Sequence, residues 1–376
     1  MRKQVEGVKD PLIDALVIGG GPAGAALGTL LARAGRSVRI LEKTMSAQDK
    51  MCGEFLSDEA IRYLRGLGVD PGAIGAKQTS EVRLAARGLI GECALPFVGM
   101  SVARRVLDEA LLSAALNGGA GVERGKAVES LQREDGQWVA RLTDGGKLCA
   151  EAAFLATGKH DLLGWHRPAG RQNDLVAFKM YFRLEYGQRA EIENRVELVL
   201  FPGGYGGLLL LGGEVLNLCV LVRQSVLRRL GRWENLLGHM QTASPHLARY
   251  LEGAEPLLEK PLALSAIPYG YLCERATDGL WRLGDQAAVI PSFSGDGISI
   301  ALHSAHLAAE DYLRGKSADD YQRRLCAQLR RPVGVATAVS RLMVSAPAAG
   351  QVVGVWPGLL SAITRLTRVP NEALRL

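Results

Sequence analysis

Three glycines, Gly19, Gly21 and Gly24, stand in the spacing G-x-G-x-x-G, directly after the apolar run DALVI (Asp14 to Ile18) and before AALGTLLARAG. In such a pattern the first glycine permits a tight turn and the second lets the backbone approach a pyrophosphate. The third allows the following helix to pack close to its strand. Amides at the helix start, where Pro22 and Ala23 lie, then face phosphate charge. Glu42 ends the next apolar run about twenty residues on, where a carboxylate accepts hydrogen bonds from a ribose diol. A 2′-phosphate would be repelled there, so NADP is disfavoured in this slot. Lys43 follows as a further candidate contact. The chemistry these residues spell is dinucleotide binding.

A second glycine-rich turn separates one dinucleotide from another. The stretch LWRLGDQAAVIPSFSGDGISIAL places Gly284 and Asp285 at a strand end, then Pro291, then Gly295, Asp296 and Gly297 opening a helix at Ile298. This second helix start offers N–H groups to another electron-rich group. A flavin dinucleotide has two such places, its pyrophosphate and the N1/O2 edge of its ring, whereas NAD has no counterpart to the second. FAD is therefore the expected cofactor.

These motifs need elements to hold them. Apolar run, glycine turn, Ala/Leu-rich helix and second apolar run form a βαβ unit, with Gly35 closing the helix. RRVLDEALLSAALNGGA reads as a helix with Val106, Leu107, Ala110, Leu111 and Ala114 on one stripe. The stretch from Gly121 to Gly158 has the turn spacing of a β-meander. RVELVLF, GGLLLLGG and VLNLCVLV follow at sheet-like intervals. The fold class expected is α/β, α+β overall, in which a Rossmann-type FAD domain (residues 10–79, 98–165 and 265–320) is interrupted by an antiparallel substrate sheet (80–97 and 166–264). Helices complete the chain over 321–376.

Composition narrows the classes. In 376 residues, 48% are hydrophobic and 22% charged, ordinary for a globular protein. The net charge of +6 is spread without a dense basic block, which argues against nucleic acid as a partner. Six cysteines lie far apart with no C-x-x-C pair, so zinc and iron–sulfur ligation are not expected, nor is any other metal. The polar N-terminus has no apolar signal region, and a cytoplasmic protein with reduced thiols is expected. The uncharged stretch from Leu342 to Thr364 is interrupted by Pro347 and Pro357. It reads as two short apolar helices that pack on the protein, with peripheral membrane contact as the alternative.

The chain resembles the FAD-dependent oxidoreductase superfamily that includes aromatic hydroxylases, flavin halogenases and geranylgeranyl reductases. The resemblance rests on GGGPAG (Gly19 to Gly24), Glu42, RRVLDEALL, FLATG and the GD…P…GDG segment, across most of residues 10 to 315. It implies that Arg104 contacts the flavin side, that Gly158 follows the motif strand beside the cofactor, and that Asp285 bonds the ribityl or phosphate region. Gly295 and Gly297 would set N–H groups near the ring's pyrimidine edge, stabilising reduced flavin.

Within that superfamily the geranylgeranyl reductase branch is nearest, because its members carry a Cys-Gly-Glu-x-Leu-Ser-like segment and this chain has Cys52-Gly53-Glu54-Phe55-Leu56-Ser57. The branch runs this loop beside the isoalloxazine ring, which makes Cys52 and Glu54 candidate catalytic groups and Gly53 a point of close backbone approach. The likeness then departs. The branch's Tyr-x-Trp-x-Phe-Pro signature has here only Tyr205, with Gly207 in place of Trp and Leu209-Leu210 in place of Phe-Pro. The halogenase Trp-x-Trp-x-Ile-Pro signature is absent, and Thr157-Gly158-Lys159 replaces the Asp-Gly motif of many hydroxylases.

The first expectation is an FAD-dependent monooxygenase of a lipophilic or aromatic small molecule, polyketide- or isoprenoid-like, in specialised metabolism. The alternatives are a reductase of isolated C=C bonds in prenyl substrates and a membrane-associated electron-transfer flavoprotein. NAD(P)H or a separate reductase would supply electrons. Tyr205 joins Cys52 and Glu54 as a candidate catalytic residue. His303 and His306 read as packing or capping, with a site for an anionic substrate group at His160, Lys159 and Arg167 only as an alternative.

Overall fold

The computed structural model describes residues 13–86, 88–345 and 357–374. The chain opens as expected, with β1 (Ile13–Ile18), α1 (Pro22–Arg33) and β2 (Val38–Glu42). β1 is apolar and buried on both faces, as a central parallel strand must be, and pairs in parallel with β2 from Ala15 opposite Val38 to Ile18 opposite Leu41. Next come β3 (Phe55–Leu56), α2 (Asp58–Gly66), β4 (Lys77–Ala86), β5 (Leu89–Ser101) and α3 (Arg104–Asn117). On α3 the expected stripe buries Leu107, Leu111 and Ala114, but Val106 is exposed, because that turn faces solvent beside Arg105.

β6 (Gly121–Arg124), β7 (Val128–Glu134), β8 (Gln137–Leu142) and β9 (Lys147–Leu155) complete the first sheet, in the order β6-β2-β1-β9-β8-β7. The meander expectation holds for β7, β8 and β9. β6 instead joins the parallel part beside β2.

The second sheet takes β10 (Leu175–Arg183), β11 (Arg195–Phe201), β12 (Gly204–Leu210) and β13 (Val215–Arg223). α4 (Tyr186–Ile192) lies between β10 and β11, and α5 (Gln224–Leu230), α6 (Trp233–Ala243) and α7 (Pro245–Leu251) follow β13. β14 (Glu255–Pro256) and β15 (Leu262–Ser265) pair with β10. β4 and β5 join this sheet too, and the β4–β11 pairing is parallel, so it is mixed rather than wholly antiparallel. A parallel join arises because the chain builds most of the first sheet between those two strands.

Both faces of the second sheet are buried, which explains its near-continuous apolar runs. Val199, Phe201, Leu218 and Val220 pack with Leu236, Met240 and Leu247 of α6 and α7. Val82, Leu84, Leu198, Tyr205 and Leu221 form the opposite core with Ile267, Tyr269 and Val289. β16 (Trp281–Arg282) returns the chain to the edge of β9, and α8 (Gly297–Leu313) then packs on α1 and α2.

α9 (Ala318–Ser345) and α10 (Pro357–Leu366) follow, separated by residues outside the described part. Of the apolar stretch 342–364, only its two ends are described, and the Pro347 break lies outside. Among the described residues, no helix is long and apolar enough to cross a membrane.

Candidate functional site

Gly19 has φ +110°, which an L side chain rarely adopts, and a Cβ there would overlap the Ala156 carbonyl at the end of β9. A Cβ on Gly24 would overlap the Gly19 carbonyl. The turn is thus as tight as its glycines allow, with Gly21 as the N-cap of α1 and Pro22 and Ala23 in its first turn. Glu42 reaches back to this turn: Gly20 donates its N–H to Glu42 Oε2 at 2.9 Å, while Thr44 donates N–H and hydroxyl to Oε1 at 3.0 and 2.8 Å. Burial works to raise the Glu42 pKa, but the bonds from Thr44 and Gly20 and the charge of Lys50 bring it below the ordinary carboxylate value. The group is an anion at neutral pH, ready to accept from a diol.

From this cradle a cavity of about 570 Å³ runs between the two sheets. Gly19, Gly21, Pro22, Ala23, Glu42, Lys43, Cys52, Gly53, Glu54, Arg104, Gly158, Tyr205, Asp285, Gly295, Gly297 and Ile298 all line it. Gly24 and Pro291 do not: Gly24 packs beneath the turn, and Pro291 caps the short turn over Ser292–Ser294.

The loop before α2 is the most constrained part of the wall. Glu54 has φ +63°, a left-handed conformation uncommon for a non-glycine residue, and is fully buried. Three partners converge on its Oε1: the Arg104 N–H at 2.7 Å, the Tyr181 hydroxyl at 2.8 Å and the Lys179 ammonium at 2.9 Å. Lys179 also donates to the Lys50 carbonyl at 3.1 Å. Asn217 donates to the carbonyls of Cys52 and Gly53 at 3.2 and 3.0 Å, and the Cys219 thiol donates to the Cys52 carbonyl at 3.0 Å. Burial pushes the Cys219 thiol up to about 12, so it stays protonated. Cys52 Sγ accepts from the Glu54 N–H at 3.3 Å.

Lys179, Tyr181 and Asn217 were not among the sequence candidates. Their signal was a lone polar residue inside an apolar strand, Lys179 in VAFKMYF and Asn217 in VLNLCVLV. These contacts give Glu54 a structural role, in which its carboxylate anchors both the loop and the start of α3.

Arg104 opens α3 and clamps Asp108 with two bonds of 2.8 and 2.9 Å. Burial opposes its charge, but Asp108 and then Cys52 outweigh it and hold the guanidinium firmly protonated. Across the cavity Lys159 pairs with Asp285 at 3.0 Å. Arg167 bonds Asp161 at 2.6 Å and the carbonyls of Lys159 and Asp285 at 2.8 Å. The alternative anion site of His160, Lys159 and Arg167 is therefore not free: two of its cations are committed to internal carboxylates. His160 is pulled below its ordinary pKa by burial and by the nearby Lys43 and Lys50.

α8 starts at Gly297 with Asp296 as its N-cap. Gly295 has φ +75°, and a Cβ there would press on the Phe55 ring. Asp296 does not cap α8 with its side chain: it is 1% exposed, and the Thr367 side chain is the group that bears on its carboxyl. His303 bonds Tyr63 and Gln328 at 2.8 Å each, and burial lowers the His306 pKa to about 4, so both serve packing as expected.

The far end of the cavity is apolar, walled by Val82, Leu95, Phe97, Leu198, Leu221 and Leu264 of the second sheet. Tyr205 belongs to this wall, 1% exposed and edge-on to Phe293 at 6.2 Å. Burial raises its pKa well above the phenol value, so it does not serve as a base. Gly207 leaves that part of the wall without a side chain.

An FAD fits this site on the evidence of its backbone: a cradle whose Gly19 and Gly24 leave no room for a Cβ, an anchored anion at the end of β2, and a second helix N-terminus whose Gly297 stands open. Among the described residues, no group of three or more His, Cys, Asp or Glu side chains is placed to hold a metal.

Comparison with known proteins agrees with the geometry. Residues 13–151 match the FAD binding domain family. Menaquinone reductase of Mycobacterium tuberculosis (strain ATCC 25618 / H37Rv) is 28% identical over 326 residues, 80% of this chain and 76% of that protein. Digeranylgeranylglycerophospholipid reductase 2 of Methanosphaera stadtmanae is 25% identical over 308 residues, 77% of this chain and 75% of that one. Among solved structures, the flavin-dependent brominase Bmp2 superposes with a TM-score of 0.78 at 18% identity, covering 95% of this chain and 93% of its own. A probable FAD-dependent monooxygenase from Pseudomonas aeruginosa, pqsL, gives 0.71 at 20% identity, covering 91% and 99%. At these identities the solved structures speak to fold.

Proposed function

We propose that the chain is an FAD-dependent oxidoreductase that reduces carbon–carbon double bonds in a lipophilic, prenyl-type substrate. The observation that carries this reading is one continuous cavity joining the glycine cradle, the Cys52-Gly53-Glu54 loop and an apolar wall. Supporting it, relatives that align over most of the chain are named as a menaquinone reductase and a digeranylgeranylglycerophospholipid reductase.

Reduced FAD, when bound, supplies the two electrons of such a reaction. Gly19 to Gly24 and the start of α1 would hold the pyrophosphate, Glu42 the adenosine ribose, and the amides at Gly295 and Gly297 the ring's pyrimidine edge. The bidentate Arg104–Asp108 pair holds the guanidinium on the cavity wall, where it would face the flavin with its charge balanced by the carboxylate. Glu54, tied to Lys179, Tyr181 and α3, holds the Cys52-Gly53 backbone in one position on the cavity wall, where it would face the ring. The leucine- and phenylalanine-lined end buries an apolar chain and excludes water. Electrons would come from NAD(P)H or a separate reductase.

A second reading, hydroxylation of a lipophilic aromatic compound, draws on the Tyr205-Gly206-Gly207 strand. Gly207 widens the wall where the prenyl reductases' Trp would stand, leaving room for a bulkier ring. Product analysis after an anaerobic single turnover separates the two: a double bond lost without O₂ supports reduction, and product formed only with O₂ supports hydroxylation.

A further inference from the structure

The cavity has a wall from outside both sheets. Ile363, Thr364 and Thr367, in α10 and the residue that follows it, line the same space as Phe55 and Gly295. α10 packs along β5, which gives Leu95 and Phe97 to that space.

The segment is clamped in place. Arg368 donates Nε–H to Glu59 Oε1 at 2.8 Å and makes a second ion-pair contact to the other carboxylate oxygen. The two side chains are only 10% and 6% exposed. The Arg368 guanidinium also lies 3.6 Å from the Phe97 ring centroid. Thr367 and Val369 on either side are buried. An ion pair this buried is costly to break, so the position of α10 is set rather than adaptable.

Along α10, Arg365 and Leu366 are exposed while Ile363 is half-buried. Ile363 is the apolar side chain that the described part of α10 presents to the cavity. We infer that α10 sets the length of apolar chain the cavity accepts, with Ile363 as the specificity-determining residue and the Arg368–Glu59 pair as its fixed mount. This rests on the prenyl-type reading above.

The test uses oxidised holoenzyme and naphthoquinones carrying one, two and four prenyl units, with binding followed by perturbation of the flavin absorbance. In the wild type affinity rises with chain length. Ile363→Trp is expected to weaken the four-unit ligand about tenfold while leaving the one-unit ligand unchanged. Ile363→Ala should leave the short ligand unchanged and favour the long one. FAD content and melting temperature matching the wild type show that both variants are folded. Wild-type-like chain-length dependence in both variants overturns the inference and leaves the prenyl-type reading standing. Affinity independent of chain length in the wild type overturns both.

Discussion

Glu54 and Lys179 meet at 2.9 Å with both side chains fully excluded from water, the carboxylate on a left-handed backbone and the ammonium in the middle of β10. Removing one partner leaves an uncompensated charge in the interior, which typically costs about 3–5 kcal/mol. Lys179→Met is therefore expected to lower stability to urea by that order and to release FAD. The double change Glu54→Gln with Lys179→Met should recover most of the loss, because a glutamine oxygen still accepts from Arg104 and Tyr181. Equal destabilisation in the single and double variants would show that the pair is not coupled.

The glycine cradle predicts an all-or-none effect. Gly24→Ala sets a methyl group onto the Gly19 carbonyl and must push α1 from β1. The purified variant should lack the yellow flavin absorbance while the second sheet still folds, seen as retained β signal in circular dichroism. Full flavin occupancy would contradict the assigned turn.

Glu42 is expected to act on affinity rather than on folding. Glu42→Gln keeps an acceptor for Thr44 or for Gly20 but not for both, since they bond different oxygens, and it removes the charge that strengthens a ribose bond, an effect of about 1.5–3 kcal/mol, or roughly ten- to a hundredfold. Titration of apoprotein with FAD measures it directly, and an unchanged dissociation constant would place the ribose elsewhere.

Asp296 makes a prediction in pH. Burial, opposed in part by Thr367, pushes its carboxyl far above the ordinary range, so the folded protein keeps a proton that the unfolded chain releases above about pH 4. Stability drawn from the neutral carboxyl is complete below the unfolded pKa and is lost as pH rises toward the folded one. Asp296→Asn, neutral throughout, should equal the wild type in urea unfolding below about pH 4 and gain on it by about 1.4 kcal/mol per pH unit above that, up to the folded pKa. A difference that stays constant with pH would mean that Asp296 is charged in the folded state.

How far these features were legible depends on whether their cause is local. Gly19, Gly24 and Gly295 could be placed from sequence because a turn of positive φ or close approach leaves its mark at single positions. β1, β2 and α1 followed from periodicity for the same reason. Lys179 and Asn217 were not chosen, since only the register of β10 and β13 turns them toward the Cys52 loop. Lys159 looked available for a substrate anion because its carboxylate partner Asp285 lies 126 residues away in sequence. The role of Ile363 was out of reach, as it depends on where α10 docks. A parallel β4–β11 join was missed because neighbouring runs of apolar residues carry no sign of strand direction.

Reduced FAD in this cavity is proposed to deliver its electrons to a carbon–carbon double bond, and one experiment decides the matter. The holoenzyme is photoreduced without O₂ and mixed with a naphthoquinol bearing prenyl units, so that the two electrons of the reduced flavin can pass only to the side chain. Air then reoxidises the quinol, and the side chain is weighed by mass spectrometry. The expected product has a side chain heavier by two hydrogens, formed before any O₂ is admitted. An unchanged side chain, with a product that appears only under ¹⁸O₂ and carries the label, would contradict the proposal.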